Sequence, residues 1–132
     1  MIKTTITALA VALTATAAFA GKAQKEDFYT SIWCAENGGR EEVRTSQNTR
    51  ADCLLDNYAV EVDFDTKWAE GLGQALHYGV EFDRPAAVLL ILKNHNGKDR
   101  TRYIERIQST IDGAGLAVTV FTIETKDYEL RD

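Results

Sequence analysis

Tyr58-Ala-Val-Glu-Val-Asp-Phe64 alternates strictly, with Tyr58, Val60, Val62 and Phe64 against Ala59, Glu61 and Asp63. A period of two is that of a β-strand, so Glu61 and Asp63 share one strand face. Further on, Ala86-Ala-Val-Leu-Leu-Ile-Leu92 is apolar without a break, the pattern of a central strand covered on both faces. Between the two, Asp65 or Thr66 is read as the cap of a helix running to about Phe82. Its apolar stripe is Trp68, Leu72, Ala75, Leu76 and Val80. Asp83-Arg84-Pro85 ends that helix, and Pro85 is the only proline.

Working outward, Arg40 to Thr45 and Arg50 to Leu55 read as two short strands joined by the turn Ser46-Gln47-Asn48-Thr49. Asp56-Asn57 is a tight turn that makes a hairpin with the strand at Tyr58. Lys25 to Asn37 places Phe28, Ile32 and Trp33 at helical spacing, and Asn37-Gly38-Gly39 stops it. After Leu92, Lys93 to Lys98 is a loop. Asp99 to Ala114 is an amphipathic helix with Tyr103, Ile104, Ile107 and Ile111 inward, closed by Gly113 and Gly115. Leu116 to Ile123 is a last strand, and Glu124 to Asp132 a charged, frayed tail. The order α-β-β-β-α-β-α-β predicts an α/β fold, a mixed central sheet flanked by helices. There are no repeats and no linker.

The first twenty residues read differently. Lys3 is a charged start, Ile6 to Ala17 is apolar and uncharged, and Ala18-Phe19-Ala20 offers small residues to a signal peptidase. That run is too short for a membrane span. Residues 1–20 are therefore expected to be a bacterial-type signal peptide, with 21–132 as one exported domain beginning at Gly21, in the periplasm or secreted. Nothing else is long and apolar enough to cross a bilayer. Losing Lys3 takes the formal net charge from −5 to −6, which counts against a general affinity for phosphate backbones. Cys34 and Cys53 are the only cysteines. In an oxidising compartment such a pair reads as one disulfide, with two buried thiols as the alternative; without CxxC spacing, a structural zinc site is not indicated.

Three groups of residues could carry chemistry. Asp52, on the second strand, faces Glu61 if the two strands pair through Asp56-Asn57. Glu61 and Asp63 stand two apart on the third strand. Converging carboxylates suit a hard cation such as Mg²⁺ or Mn²⁺, which takes oxygen ligands and activates water. Gln74 and Tyr78 are four apart on the following helix and share a face, and Lys67 begins that helix. Each also has a plain structural reading: acids on the solvated face of a half-exposed strand, a polar helix surface at Gln74, a core residue at Tyr78. His77 and His95 stand alone and are given no role.

Read together, Arg50-Ala-Asp52-Cys-Leu, Ala59-Val-Glu61-Val-Asp63-Phe, Lys67-Trp-Ala-Glu70 and Gly73-Gln74-Ala-Leu-His-Tyr78 resemble the PD-(D/E)xK nuclease superfamily. Gln74-x-x-x-Tyr78 is similar to the QxxxY element of its RecB-like branch. The resemblance runs from about Lys25 to Leu92. It implies a restriction-endonuclease-like core, with Mg²⁺ (or Mn²⁺) held by Asp52 and Glu61. It further implies an acid on or after the first helix, for which Glu36 and Glu42 are the candidates, Glu42 as a third metal ligand. The family's lysine falls where this chain has Asp63; Lys67, one step into the helix, stands in as displaced lysines do in some members. The catalytic set implied is Asp52, Glu61, Asp63 and Lys67, with Gln74 and Tyr78 positioning substrate.

Two functions follow. One is a metal-dependent phosphodiesterase acting on nucleic acid. Its electrostatic support is the basic island Lys93, Lys98, Arg100, Arg102 and Arg106, a local +3 against Asp99 and Glu105. The other is a non-catalytic exported binding domain on a degenerate nuclease-like scaffold. The cysteine reading has a direct check. Denatured, unreduced protein is expected to show no reactive thiol, and two reactive thiols would exclude the bridge.

Overall fold

The structure, a computed structural model, describes residues 24–93 and 100–129. The signal-peptide expectation, the start at Gly21, most of the loop after Lys93 (with His95, Lys98 and Asp99) and the last three residues lie outside the described residues. The elements are α1 (Glu26–Glu36), β1 (Arg40–Arg44), β2 (Arg50–Leu54), β3 (Ala59–Phe64), α2 (Trp68–Phe82), β4 (Ala86–Leu92), α3 (Thr101–Ala114) and β5 (Val118–Glu124). They form an α/β fold on one five-stranded mixed sheet, in the spatial order β1-β2-β3-β4-β5. β1, β2 and β3 pair antiparallel, while β3–β4 and β4–β5 are parallel.

The layers follow from this order. Two crossovers in the same direction along the sheet put α2 and α3 on one face. There Leu72, Ala75, Ile107 and Ile111 pack on Ala86, Val88, Leu90 and Leu92. On the other face α1 packs Tyr29, Trp33 and Cys34 against Val60, Val62, Leu89 and Ile91. All seven residues of β4 are buried, as expected of a central strand.

α2 comes unusually near the sheet. A Cβ at Gly79 would stand 3.0 Å from the Cβ of Ala86 and 3.1 Å from the Arg84 carbonyl oxygen. The inward face of the helix is Gly71, Leu72, Ala75 and Tyr78, with Phe82 packed beside Tyr78. Val80, expected in the apolar stripe, is instead 83 % exposed. At 100° per residue it lies well over a right angle from a stripe centred on Ala75.

Two other expectations change. Asp65 does not cap the helix by its side chain. It sits in a 3₁₀ turn, Asp65–Lys67, before α2, fully buried. It accepts from the Lys93 N–H at 3.3 Å and pairs with Arg100 at 3.6 Å. A buried carboxylate needs such partners more than a helix end needs a cap. The tail is not frayed through residue 129. Tyr128 is buried on α1, its hydroxyl 3.4 Å from Glu36, and Tyr29 donates to Glu129 at 3.1 Å. One large aromatic side chain is enough to anchor a charged segment.

α2 offers a paired test of helix–sheet contact. A Cβ at Gly73 would meet nothing within 4 Å, so Gly73→Ala is expected to stabilise by about 0.5–1 kcal/mol through helix propensity. Gly79→Val is expected to destabilise by about 1–3 kcal/mol through overpacking. Urea unfolding of both variants checks the opposite signs; equal signs would mean α2 does not rest on β4 at Gly79.

Candidate functional site

Where β2 and β3 part, the sheet gathers acids. The β2–β3 ladder holds only Cys53↔Val60 and Leu54↔Ala59. Past that point the Asp52 side chain takes the place of the missing strand, its Oδ2 accepting the Val62 N–H at 2.8 Å. Glu61 and Asp63 follow on the face that α2 covers. They are only 4 % and 5 % exposed, which removes the solvated-face reading of these two residues. Asp63 lies directly beneath α2 because Gly71 has no side chain; a Cβ there would stand 2.9 Å from Asp63 Oδ2.

The carboxyls associate as two pairs. Glu61 stands beside Asp52, and Asp63 beside Glu26, each close enough to act on the other. Carboxyls this near disfavour each other's ionisation. Burial, then the charge of Asp52, pushes Glu61 up to about 10. Burial, then the charge of Glu26, pushes Asp63 up to about 8. Asp52 and Glu26 are also raised, chiefly by burial, while their acidic partners pull them back down. Even so, Glu61 Oε2 and Asp63 Oδ2 are buried and find no donor among the described residues.

Glu26 is the residue that the sequence reading missed. The acid that α1 brings to the cluster comes from its first turn. Glu36 is at the opposite end of the helix, beside Tyr128. The signal was present: Glu26 precedes Tyr29, Thr30 and Trp33 by three, four and seven residues, which is the buried stripe of α1. Glu42 is on the surface, 3.4 Å from Arg50. It acts on Asp52 and Tyr78 by charge.

Of the remaining expected residues, Tyr78 is brought to the cluster. It is buried, and burial followed by the charges of Glu61 and Asp52 raises its hydroxyl's pKa. Lys67 is exposed on the turn after β3, near enough for its charge to lower the pKa of Glu26. Gln74 donates to Glu70 at 3.2 Å along the same helix, and Glu70 in turn acts on Asp63. The basic island is divided. Arg100 turns inward to Asp65 and the Lys93 carbonyl. Lys93 lies over the Phe64 ring at 4.3 Å. Arg102 and Arg106 flank the Tyr103 ring at 4.8 and 5.6 Å.

Among the described residues no three His, Cys, Asp or Glu side chains already stand at the mutual distances of a metal cage. The donor set is one of carboxylate pairs. That matches Mg²⁺ or Mn²⁺ held by one or two carboxylates with water completing the shell, and does not match Zn²⁺ or a caged Ca²⁺. Among the described residues four buried carboxylate oxygens lack a donor, Glu61 Oε2, Asp63 Oδ2, Asp65 Oδ1 and Glu81 Oε1; the first two belong to this cluster and are the observation that fits a cation. No family model, curated protein or solved structure matches the chain.

The raised carboxyls set a pH dependence. In the unfolded chain Glu61 and Asp63 lose their protons near 4.5 and 3.8, whereas the folded protein keeps them to about 10 and about 8. The folded state therefore binds more protons between those limits. Stability falls as pH rises from about 4 through 8 and on toward 10. In chelator, the unfolding midpoint is expected to drop from pH 5 to pH 9. Glu61→Gln is expected to flatten the slope and stabilise the protein at pH 8. A flat wild-type profile would contradict the burial of these acids.

Proposed function

We propose that the protein is an exported, metal-dependent phosphodiesterase of nuclease-like type acting on nucleic acid, with Asp52 and Glu61 as its Mg²⁺ (or Mn²⁺) ligands. The observation that carries this reading is the convergence of Glu26, Asp52, Glu61 and Asp63, from three elements, on a spot where two buried carboxylate oxygens have no donor. Such a cluster is costly unless protonated or neutralised by a cation. When bound, the cation would supply a water of lowered pKa and neutralise phosphate charge. The chain's own groups have distinct parts. Glu26 and Asp63 border the Asp52–Glu61 ligand pair. Lys67, exposed on the surface and acting by charge on Glu26, steadies negative charge developing on phosphorus oxygens. The buried Tyr78 hydroxyl stands near the carboxylate pair, whose charges act on it, and Gln74 lies one turn before it on the same helix. Arg102, Arg106 and Lys93 give phosphate contacts on the neighbouring α3 side.

The order α-β-β-β-α-β, with acids on the second and third strands, supports a restriction-endonuclease-like core. The Cys34–Cys53 bridge supports an oxidising compartment, and with it export. No helix among the described residues is long and apolar enough to cross a membrane.

One observation favours the second reading, a non-catalytic binding domain on the same scaffold. Asp63 occupies the family's lysine position and is sealed under Gly71, so a lysine's charge must come from Lys67 on the surface.

Calorimetric titration of Mn²⁺ and Mg²⁺ separates the readings. The wild type is expected to bind at one saturable site, and Asp52→Asn and Glu61→Gln each to lose it. Lys67→Ala is expected to keep the affinity within about twofold and to lose at least tenfold in phosphodiester cleavage, about 1.4 kcal/mol of transition-state stabilisation. Absence of metal binding in the wild type would leave a scaffold without the chemistry.

A further inference from the structure

The four carboxyls come from elements with every electrostatic reason to separate. When a cation site is formed these groups must be ionised, and like charges then repel, so other contacts must keep the elements in place. The ladder from β2 to β3 ends one residue short of Asp52, leaving the Val62 N–H to Asp52 bond to tie this end of the strand to β3. α1 touches the sheet mainly through Tyr29 and Trp33. The one covalent tie in the fold joins these two elements. Cys34, on α1, and Cys53, on β2, are bridged with Cα atoms 5.7 Å apart and no exposed surface.

Its placement relative to the acids is close. Cys53 is the neighbour of Asp52 in β2. Glu26 lies about two turns before Cys34 on α1, roughly 12 Å along a rigid helix. Gly39 packs against both sulfurs; a Cβ there would stand 2.5 and 2.7 Å from them. The bridge is thus seated against backbone on its third side and cannot swing.

We propose that the Cys34–Cys53 disulfide is a positioning element of the cation site, holding Asp52 and Glu26 in register against their mutual repulsion, beyond any contribution to global stability. This inference rests on the cation-site reading above. Without the crosslink, the parted end of β2 and the first turn of α1 relax away from each other. The chain still folds around β4, but the carboxylate oxygens no longer converge. The outer partners that orient metal ligands act in the same way, and losing one lowers affinity by about 10- to 100-fold.

The test measures Mn²⁺ affinity by calorimetry at pH 7.5, at a temperature where each protein is fully folded. The proteins are the wild type, Cys34→Ala/Cys53→Ala, the better-filled Cys34→Val/Cys53→Ala, and Ile107→Val. Ile107 is buried on α3, far from the bridge, and its variant is a destabilised control with the crosslink intact. The expected result is a loss of about tenfold or more in both crosslink variants and an unchanged affinity in Ile107→Val. Wild-type affinity in either folded crosslink variant overturns the inference, as does an equal loss in Ile107→Val. Failure of the wild type itself to bind Mn²⁺ removes the cation site, and with it this role for the bridge.

Discussion

β3 is covered by helices on both faces, and two of its six residues carry carboxyl groups toward one of them. Every other feature of the site answers that constraint. Gly71 is a glycine because Asp63 lies under it. Asp52 leaves the sheet ladder to accept the Val62 N–H and to stand beside Glu61. Glu26 arrives from the opposite layer past the edge that β2 has vacated, to stand beside Asp63. A buried acid can be tolerated by protonation, by donors or by a cation. Here the donors are too few, so the metal-free protein keeps protons at neutral pH where solvent-exposed acids would not.

The same physics explains why the sheet is built around β4 rather than β3. β4 is apolar throughout and buries all seven residues between α1 on one side and α2 with α3 on the other. It supplies the hydrophobic stabilisation that a strand with acids on one face cannot. α2 approaches this pair of strands closely along Gly71, Ala75 and Gly79. A close helix excludes water from Glu61 and Asp63, which raises their pKa values and strengthens any electrostatic interaction made there. The Asp65–Arg100 pair and the Lys93 N–H fasten the turn after β3 to the end of β4, so the carboxyl ends of the two parallel strands are held together at the rim of the acid cluster.

Much of this was legible in the sequence. Alternation at Tyr58–Phe64 and the unbroken run Ala86–Leu92 located β3 and β4, and the Asp56-Asn57 turn brought Asp52 near Glu61. What alternation could not show is whether the second face of β3 meets water or a helix; Glu61 and Asp63 look the same in either case. Helical spacing put Glu26 on the buried stripe of α1, but not beside Asp63, 37 positions away; only the packing of α1 across the sheet connects them. Asp65 carries the usual mark of a helix cap, yet a fully buried carboxylate seeks a cation and an amide first. Val80 fits an apolar stripe by composition, but the glycines at 71 and 79 turn the inward face away from it. Tyr128, within a charged tail, was hidden by its neighbours.

The central proposal is that the carboxyls of β2 and β3 hold a divalent cation. Its most direct test is an anomalous difference map from crystals of the oxidised protein soaked in Mn²⁺, collected near the manganese edge. The account predicts one strong peak about 2.1 Å from carboxylate oxygens of both Asp52 and Glu61. A map with no peak at these residues, or with manganese only at surface acids such as Glu42, would contradict it.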